Sequence, residues 1–192
     1  MDIQLPNPKL KGIKSLEECI YERESVRKFK DQSIELEKLS QLMWAAQGLK
    51  GRKRTVPSAG ATYPLEIYLI MDRKKLYHYL PKTHVLEFIK EEENLCKNLA
   101  SYSWNQDFMC QAPLIIVICA QYSRTCHRYG DRGIRYVHME IGHCAQNIHL
   151  QAVSLGLDSV PIGAFDDEKL KRLLGVPEEI EVLYLIPIGY KR

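Results

Sequence analysis

Residues 114–120, with the sequence LIIVICA, form the longest apolar run of the chain, and residues 131–155 follow with apolar side chains at every third or fourth position. The run is far shorter than the ~18 residues of a membrane span, and its length suits a strand that is buried on both faces. The repeat that follows predicts a long amphipathic helix, whose apolar face is formed by Val137, Ile141, Cys144, Ile148, Ala152 and Leu155.

Two short helices are predicted near the N-terminus. Ser15 and Glu18 have the spacing of a capping box, which predicts a helix that fades near Arg23. Ser33 is predicted to cap a second helix, which ends at Gly48.

The remaining elements are short strands and helices in an irregular order. Residues 50–64 are predicted to form a loop, and further strands are predicted at residues 66–71, 76–80, 157–162 and 182–188. A charged helix is predicted at 91–102, and a small helix between Asp166 or Asp167 and Gly175. Because hairpin-like strands are mixed with long helices and do not alternate with them regularly, we predict an α+β fold with a mixed sheet flanked by helices.

Length and composition are those of one globular domain. The 192 residues are predicted to form a single domain, with residues 1–14 as an N-terminal arm. The net charge of +3 is small and no long basic stripe exists, so no nucleic-acid partner is expected. The six cysteines contain no CxxC pair, and the N-terminus lacks a signal-like apolar segment. We therefore expect a reduced, cytoplasmic protein without a membrane partner.

The segment Arg23-Glu24-Ser25-Val26-Arg27 is the first candidate site. In an extended chain Arg23, Ser25 and Arg27 point to the same side, which places two guanidinium groups around one hydroxyl. Such a cluster suits a phosphate monoester, because arginine makes bidentate contacts with phosphate. The alternative is that both arginines are surface residues paired with Glu22 and Glu24.

Three further segments admit a functional or a purely structural interpretation. The small residues Pro57-Ser58-Ala59-Gly60 let the backbone approach a flat ligand, or form an ordinary turn. Gly163 and Ala164 lie between a strand and a helix. They either offer free backbone N–H groups to an acceptor atom of a ligand or only connect the two elements. Residues 124–136, rich in arginine and tyrosine, line a substrate pocket or form a solvated helix start.

Metal and nucleotide-fold motifs are missing. His138-x-Glu140-x-x-His143 is not HExxH, because its histidines lie five residues apart and off a common helical face. No other histidines have ligand spacing, so no metal site is predicted. Neither GxGxxG nor GxxxxGK[ST] occurs, and no nucleophile triad can be assigned, so no catalytic side chain is predicted.

The order of these segments carries more information than any one of them. Arg-x-Ser-x-Arg-x-Phe, PSAGATYPLEIYLI, GLDSVPIGAFDD and IPIGY occur in the order typical of the nitroreductase family. QDFMCQAPLIIVICA and YGDRGIRYVHMEIGHCAQNIHLQAVSLGL are similar to its SagB-type branch, named after the dehydrogenase of azoline-peptide biosynthesis. The resemblance extends from Ser15 to Tyr190.

The resemblance implies a mostly antiparallel central sheet and an intertwined homodimer with two FMN sites. Arg23, Ser25 and Arg27 match the segment that holds the FMN phosphate and ribityl chain. Pro57, Ser58, Ala59 and Gly60 match a loop that the other subunit contributes to the flavin ring, and Gly163 and Ala164 match the position whose N–H approaches flavin N5. Glu24 replaces a family arginine, and Lys191 or Arg192 is a candidate for reaching the phosphate.

The implied activity is an FMN-dependent oxidoreduction. We expect ping-pong transfer through flavin N5 from NAD(P)H to a small acceptor of the nitroarene or quinone type, because the cofactor carries the redox chemistry. One alternative is a SagB-type dehydrogenase that oxidises an azoline ring in a peptide-derived substrate. Its Lys-Tyr pair corresponds to Arg128-Tyr129 here, and arginine is a poor base. A non-catalytic FMN-binding module is the alternative from another class.

Overall fold

The computed structural model describes all 192 residues, which form six α-helices and nine strands. The helices are α1 (Leu16–Glu22), α2 (Leu36–Gln47), α3 (Leu95–Tyr102), α4 (Ser123–Tyr129), α5 (Arg132–Ser154) and α6 (Asp167–Leu174). The strands are β1 (Ile3–Gln4), β2 (Leu49–Lys50), β3 (Lys53–Arg54), β4 (Leu65–Met71), β5 (Lys75–Leu80), β6 (Val85–Glu91), β7 (Leu114–Ala120), β8 (Asp158–Ser159) and β9 (Glu181–Gly189). Short 3-10 helices occupy Ala59–Ala61 and Asp107–Gln111.

Seven strands form one sheet in the order β1-β6-β5-β4-β7-β9-β8, and each neighbouring pair is antiparallel. The predicted α+β class is confirmed. The sheet was expected to mix parallel and antiparallel strands, but its strand pairs are all antiparallel. Parallel pairing occurs at one isolated bridge, between Ser25 and Ser159. The remaining strands, β2 and β3, form a separate small hairpin.

Strand β7 lies inside the sheet, between β4 and β9, and its seven residues are all buried. Successive side chains of a strand point to opposite faces, so β7 supplies both halves of the core. Leu114, Ile116 and Ile118 join the cluster that α2 and α5 cover. Ile115 and Val117 join the cluster on the opposite face, which α3 and α6 cover. The sheet is therefore enclosed between two layers of helices.

Several predicted boundaries are confirmed. Strand β7 has the predicted bounds, and α5 lies within one residue of the predicted 131–155 at each end. The capping box at Ser15 is formed: its hydroxyl accepts the N–H of Glu18, and the Glu18 carboxylate accepts the N–H of Ser15. Asp166 caps α6, which ends at Gly175 in the left-handed conformation (φ 67°) that favours glycine.

Other predictions are wrong in detail. Ser33 does not cap α2, which begins after Glu35 without a side-chain cap. Residues 50–64 are not only a loop, since they contain β3 and a 3-10 helix. The predicted helix at 91–102 is a strand up to Glu91 and a helix only from Leu95, because β6 pairs with the distant β1 and with β5. The strand predicted at 157–162 is reduced to Asp158–Ser159.

Two further features were not predicted. Helix α4 precedes the long helix and is separated from it at Gly130, whose φ of 56° interrupts the helical backbone. A disulfide joins Cys96 at the start of α3 to Cys110 in the second 3-10 helix, so the expectation that all cysteines are reduced is wrong for this pair.

None of the helices is both long enough and apolar enough to cross a bilayer.

Candidate functional site

The segment that follows α1 runs beside β8 at one edge of the sheet. Val26 donates its backbone N–H to the carbonyl oxygen of Ser159 at 3.1 Å, and Ser25 forms a parallel bridge with the same residue. Val26 is buried, Ser25 and Arg27 are exposed, and Arg23 is half-buried, so all three predicted residues reach the surface of this segment.

The C-terminal residues lie against the same segment. Lys30 donates its N–H to the carbonyl oxygen of Tyr190 at 2.8 Å, and Arg192 donates its N–H to that of Lys28 at 3.1 Å. The structure thus brings Arg192 close to the predicted cluster. We call Arg23, Ser25, Arg27 and Arg192 the arginine edge.

No guanidinium group of the arginine edge has a carboxylate partner. Glu22 pairs instead with Lys14, and Glu24 pairs with Lys191. The predicted alternative, in which Glu22 and Glu24 neutralise the two arginines, is therefore wrong. The guanidinium of Arg27 lies 5.9 Å from the centre of the Phe108 ring. The arginine edge keeps an uncompensated positive charge, which suits an anion.

A buried histidine lies behind the arginine edge. His149 of α5 and Ser159 of β8 are both buried, and Nδ1 of His149 lies 2.7 Å from the Ser159 hydroxyl. Burial, with a smaller contribution from the charge of Arg23, lowers the pKa of His149 to about 4. His149 is thus neutral near pH 7, and the charge at this edge comes from the arginines.

Gly163 and Ala164 follow β8 in the chain, next to an isolated bridge between Ile162 and Leu185 of β9. Both residues are exposed, and neither donates its backbone N–H to another group of the chain. Gln106 donates an amide N–H to the Ala164 carbonyl at 3.4 Å. A Cβ built on Gly163 would lie 3.6 Å from the Tyr184 ring, which is ordinary contact. The feature of interest is thus the pair of free N–H groups.

Residues 57–60, here called the small-residue loop, have a constrained backbone. The φ angles of Gly60 and Ala61 are 58° and 53°, and that of Tyr63 is 46°. Left-handed angles at alanine and tyrosine are uncommon and cost of order 1–3 kcal/mol each, so surrounding contacts must hold them. One such contact is the Tyr63 N–H, which donates to the Ser58 hydroxyl at 2.9 Å.

Helix α4 supplies the other contacts to this region. Arg128 donates to the Gly60 carbonyl at 3.2 Å, and the hydroxyls of Thr62 and Thr125 lie 2.8 Å apart. A Cβ on Gly60 would lie 2.7 Å from the Tyr129 hydroxyl. Residues 124–136 therefore do approach the small-residue loop, through Arg128 and Tyr129.

A cavity of about 260 Å³ opens between the small-residue loop and α5. Its lining residues are Pro57, Ser58, Ala59, Tyr136, Met139, Glu140 and His143. The Glu140 side chain is 3% exposed, and its Oε1 atom has no hydrogen-bond partner. Burial raises the pKa of Glu140 to about 7, against the opposing effects of Ser58, Gln47 and Arg54.

The predicted residues form two groups within one chain. The arginine edge lies beside Ser159 and His149, whereas the small-residue loop lies beside Glu140. Residues 140 and 149 are about 13 Å apart along the helix at 1.5 Å per residue. The loop of one chain is therefore not adjacent to its own arginine edge.

A larger cavity, of about 1260 Å³, lies between the N-terminal arm, α1, α2 and α5. None of the predicted site residues lines it. Apolar side chains of the arm and of α1 are exposed nearby, among them Leu10, Ile13, Leu16, Ile20 and Tyr21. A surface with this many large exposed apolar groups is typical of an interface with another molecule.

Glu140 is the main residue that the sequence analysis missed. It was considered only as part of a rejected metal motif. Its position, three residues after Val137 and one before Ile141, places it next to the apolar face of the helix, and this was the available signal. An acidic residue among apolar positions is expected to be buried, and buried carboxyl groups are frequently functional.

The comparisons with known proteins agree on one family. A sequence model described as Nitroreductase family matches residues 20–190. The chain is 43% identical over its full length to MJ1384 of Methanocaldococcus jannaschii, a protein named as a nitroreductase, and covers 97% of that protein. It superposes with a TM-score of 0.88 and 28% identity on the crystal structure of a protein from Ralstonia eutropha that bears the same name, covering all of this chain and 90% of the other.

One further relative bears on the branch of the family. The microcin B17-processing protein McbC of Escherichia coli is 25% identical over 137 residues, which are 66% of this chain and 50% of McbC.

Proposed function

Because this chain belongs to the nitroreductase family of oxidoreductases, we propose that it binds FMN and passes electrons from NAD(P)H to a small organic acceptor. The observation that carries this proposal is the arginine edge, whose guanidinium groups have no carboxylate partner. When bound, FMN supplies the ring that takes up a hydride at N5 and returns the electrons in a second half-reaction, which gives ping-pong kinetics.

The arginine edge fits the phosphate group of FMN. A phosphate monoester carries nearly two negative charges at neutral pH, and guanidinium groups bind it through paired N–H donors. Arg23, Arg27 and Arg192 have no competing carboxylate, so they offer their donors to such a ligand. Ser25 is exposed between Arg23 and Arg27 and adds a hydroxyl. Lys191 is engaged with Glu24, so we assign the C-terminal contact to Arg192.

Gly163 and Ala164 fit the flavin ring. Their free N–H groups are donors that can bind an acceptor atom such as N5, and a donor directed at a position where negative charge develops stabilises that charge. The absence of a side chain at Gly163 permits close approach of a flat ring. In this mechanism the protein binds and orients the cofactor.

A homodimer completes the proposed site. The small-residue loop is not adjacent to its own arginine edge, so we assign it to the flavin ring bound by a second chain. The exposed apolar residues of the arm and α1, and the cavity beside them, supply a surface that a second copy can bury. In such a dimer, Pro57, Ser58, Ala59 and Gly60 would contact the ring.

A SagB-type azoline dehydrogenase is the second candidate, and the similarity to McbC favours it. Arg128 and Tyr129 also lie against Gly60, next to the proposed ring site. Arginine remains protonated, however, and cannot take up a proton from an azoline substrate. We therefore place reduction of a small acceptor first.

An anaerobic titration tests the proposal. The purified protein should be yellow, and NADPH or NADH should bleach the flavin absorbance near ~450 nm, because the cofactor carries the redox change. Addition of a quinone or nitroarene should restore the absorbance. A flavin that stays oxidised with both nicotinamides would contradict the reductase proposal, and tight FMN binding without any turnover would support a non-catalytic FMN-binding module.

A further inference from the structure

Glu140 is a buried carboxyl group that the proposed function has not used. It occupies the floor of the cavity under the small-residue loop, and its Oε1 atom lacks a partner although the side chain is almost entirely buried. A buried carboxyl group without full hydrogen bonding lowers the stability of a protein, so its presence at a cavity calls for a reason other than folding.

The groups around Glu140 leave it without a strong ionic partner. Ser58 and the Gln47 amide lie near the carboxyl group, but Nε2 of Gln47, like Oε1 of Glu140, is buried and forms no hydrogen bond. Arg54 acts on the carboxyl group from β3, and Cys144 lies one turn further along α5. Tyr136 and His143 line the same cavity. Arg54 forms no ion pair with Glu140, since its side chain donates to the Gln47 carbonyl at 3.0 Å.

The hydroxyl of Ser58 connects Glu140 to the small-residue loop. This hydroxyl accepts the N–H of Tyr63, so its own proton is available for donation toward Glu140. Oε1 is buried without a hydrogen-bond partner, and Glu140 lines the cavity, so a molecule that enters the cavity can take up a proton from the neutral carboxyl group or give one to its ionised form.

We propose that Glu140 is the proton donor of this cavity, giving one proton to each acceptor molecule that is reduced there. The inference rests on the proposed function, which brings the ring bound by a second chain to the small-residue loop. The acceptor gains a hydride, with its two electrons, from the reduced cofactor and a proton from the carboxyl group. The Glu140 carboxylate then regains a proton from solvent.

The acidity of Glu140 agrees with this role. Because burial raises its pKa to about 7, it holds a proton at neutral pH and can release it over the range in which an enzyme works. A surface glutamate would be ionised there and could not donate. Two independent measurements test whether Glu140 is protonated at neutral pH. One is the stability of the cofactor-free protein, and the other is the rate of acceptor reduction.

The first measurement is the stability of cofactor-free Glu140→Gln as a function of pH. The folded-state pKa lies above the ordinary value of 4.5, so the wild-type protein loses stability as pH rises from 4.5 to 7, and this loss remains at higher pH. Glu140→Gln lacks this loss. Its melting temperature should therefore exceed that of wild type at pH 8, and the difference should shrink toward pH 5.

The second measurement is the rate of acceptor reduction in rapid-mixing experiments with pre-reduced protein. A general acid contributes about 100-fold or more, so Glu140→Gln should slow this half-reaction by about that factor and remove the decline in wild-type rate above about pH 7. Reduction of the cofactor by NADPH should be unchanged. Glu140→Asp, which keeps a carboxyl group, should recover part of the rate. Glu179→Gln, at an exposed residue without an ion pair, is the matched control.

The outcomes separate the inference from the proposed function. Wild-type rate and pH profile in Glu140→Gln, with FMN bound, would overturn the role of Glu140 and leave the proposed function intact. A protein that binds no FMN would overturn the proposed function, and the proton-donor role would be overturned with it. Equal losses in both half-reactions and in Glu140→Asp would indicate a structural role only and would also overturn the inference.

Discussion

At the scale of single residues, the arginine edge is distinguished by guanidinium groups that have no carboxylate partner. Two lysines neutralise the neighbouring glutamates, which leaves Arg23 and Arg27 free. Sequence alone could not decide this, because Lys191 is 167 residues from Glu24, and the pairing of Lys14 with Glu22, eight residues apart, depends on how the chain folds around α1. Alternation along the segment predicts that Arg23, Ser25 and Arg27 share a side; Val26 between them is buried, but Glu24 is exposed, so the shared side remains a prediction.

Replacing either arginine should weaken FMN binding. A hydrogen bond to a charged group contributes about 1.5–3 kcal/mol, so Arg23→Ala or Arg27→Ala should raise the Kd of FMN about 10- to 100-fold. Fluorescence titration of the cofactor-free protein measures the change. Arg172→Ala, at an exposed arginine of α6 that lies 3.7 Å from Glu168, is the control. An unchanged Kd in both edge variants would contradict the assignment of the phosphate site.

His149 should make the protein sensitive to acid. Burial lowers its folded-state pKa to about 4, while the unfolded chain binds a proton near 6.5. The stability is therefore complete above pH 6.5 and falls as pH drops toward 4, by up to roughly 3 kcal/mol. Urea unfolding of wild type and His149→Asn at pH 7.5 and 4.5 checks this, and the variant should lose less. Equal losses in both proteins would contradict it.

At the scale of elements, long periodic segments were predictable and short edge elements were not. Strand β7 and helix α5 were predicted within one residue because their patterns extend over many positions. Strand β6 was missed because Glu91, Glu92 and Glu93 suggest a helix start, whereas its pairing with Ile3 and Gln4 is not visible in a local pattern. Glu140 was missed for the same reason, since its cavity is closed by residues about eighty positions earlier in the chain.

The disulfide between α3 and the following 3-10 helix should stabilise the protein. It closes a loop with a sequence separation of 14, for which the loss of unfolded-state entropy amounts to about 3 kcal/mol. Wild type should unfold at a lower denaturant concentration after dithiothreitol is added. Cys110→Ser should match the reduced protein and be insensitive to the reductant. A wild-type midpoint that dithiothreitol leaves unchanged would indicate that the bond contributes nothing.

At the scale of the whole molecule, the proposed function brings the two groups of site residues together through a second chain. Each dimer would contain two sites, each with the arginine edge of one chain and the small-residue loop of the other. Family resemblance suggested this arrangement. Composition and periodicity could not, because they describe one chain.

Mixed dimers test whether the site is shared. Arg27→Ala damages the edge, and Ala59→Trp blocks the loop, so each variant alone should bind FMN weakly. Co-expression of the two chains with different tags should give heterodimers in which one site combines an intact edge with an intact loop. FMN titration of the purified heterodimer should therefore recover one high-affinity site. Heterodimers that recover none would show that edge and loop do not cooperate across chains.

The most direct test of the central claim is native mass spectrometry of the purified protein after incubation with FMN. We predict a species of two chains that carries two FMN molecules, and loss of both FMN molecules when Arg23 and Arg27 are replaced together by alanine. A single chain without FMN, or a double variant that retains full FMN occupancy, would contradict the account.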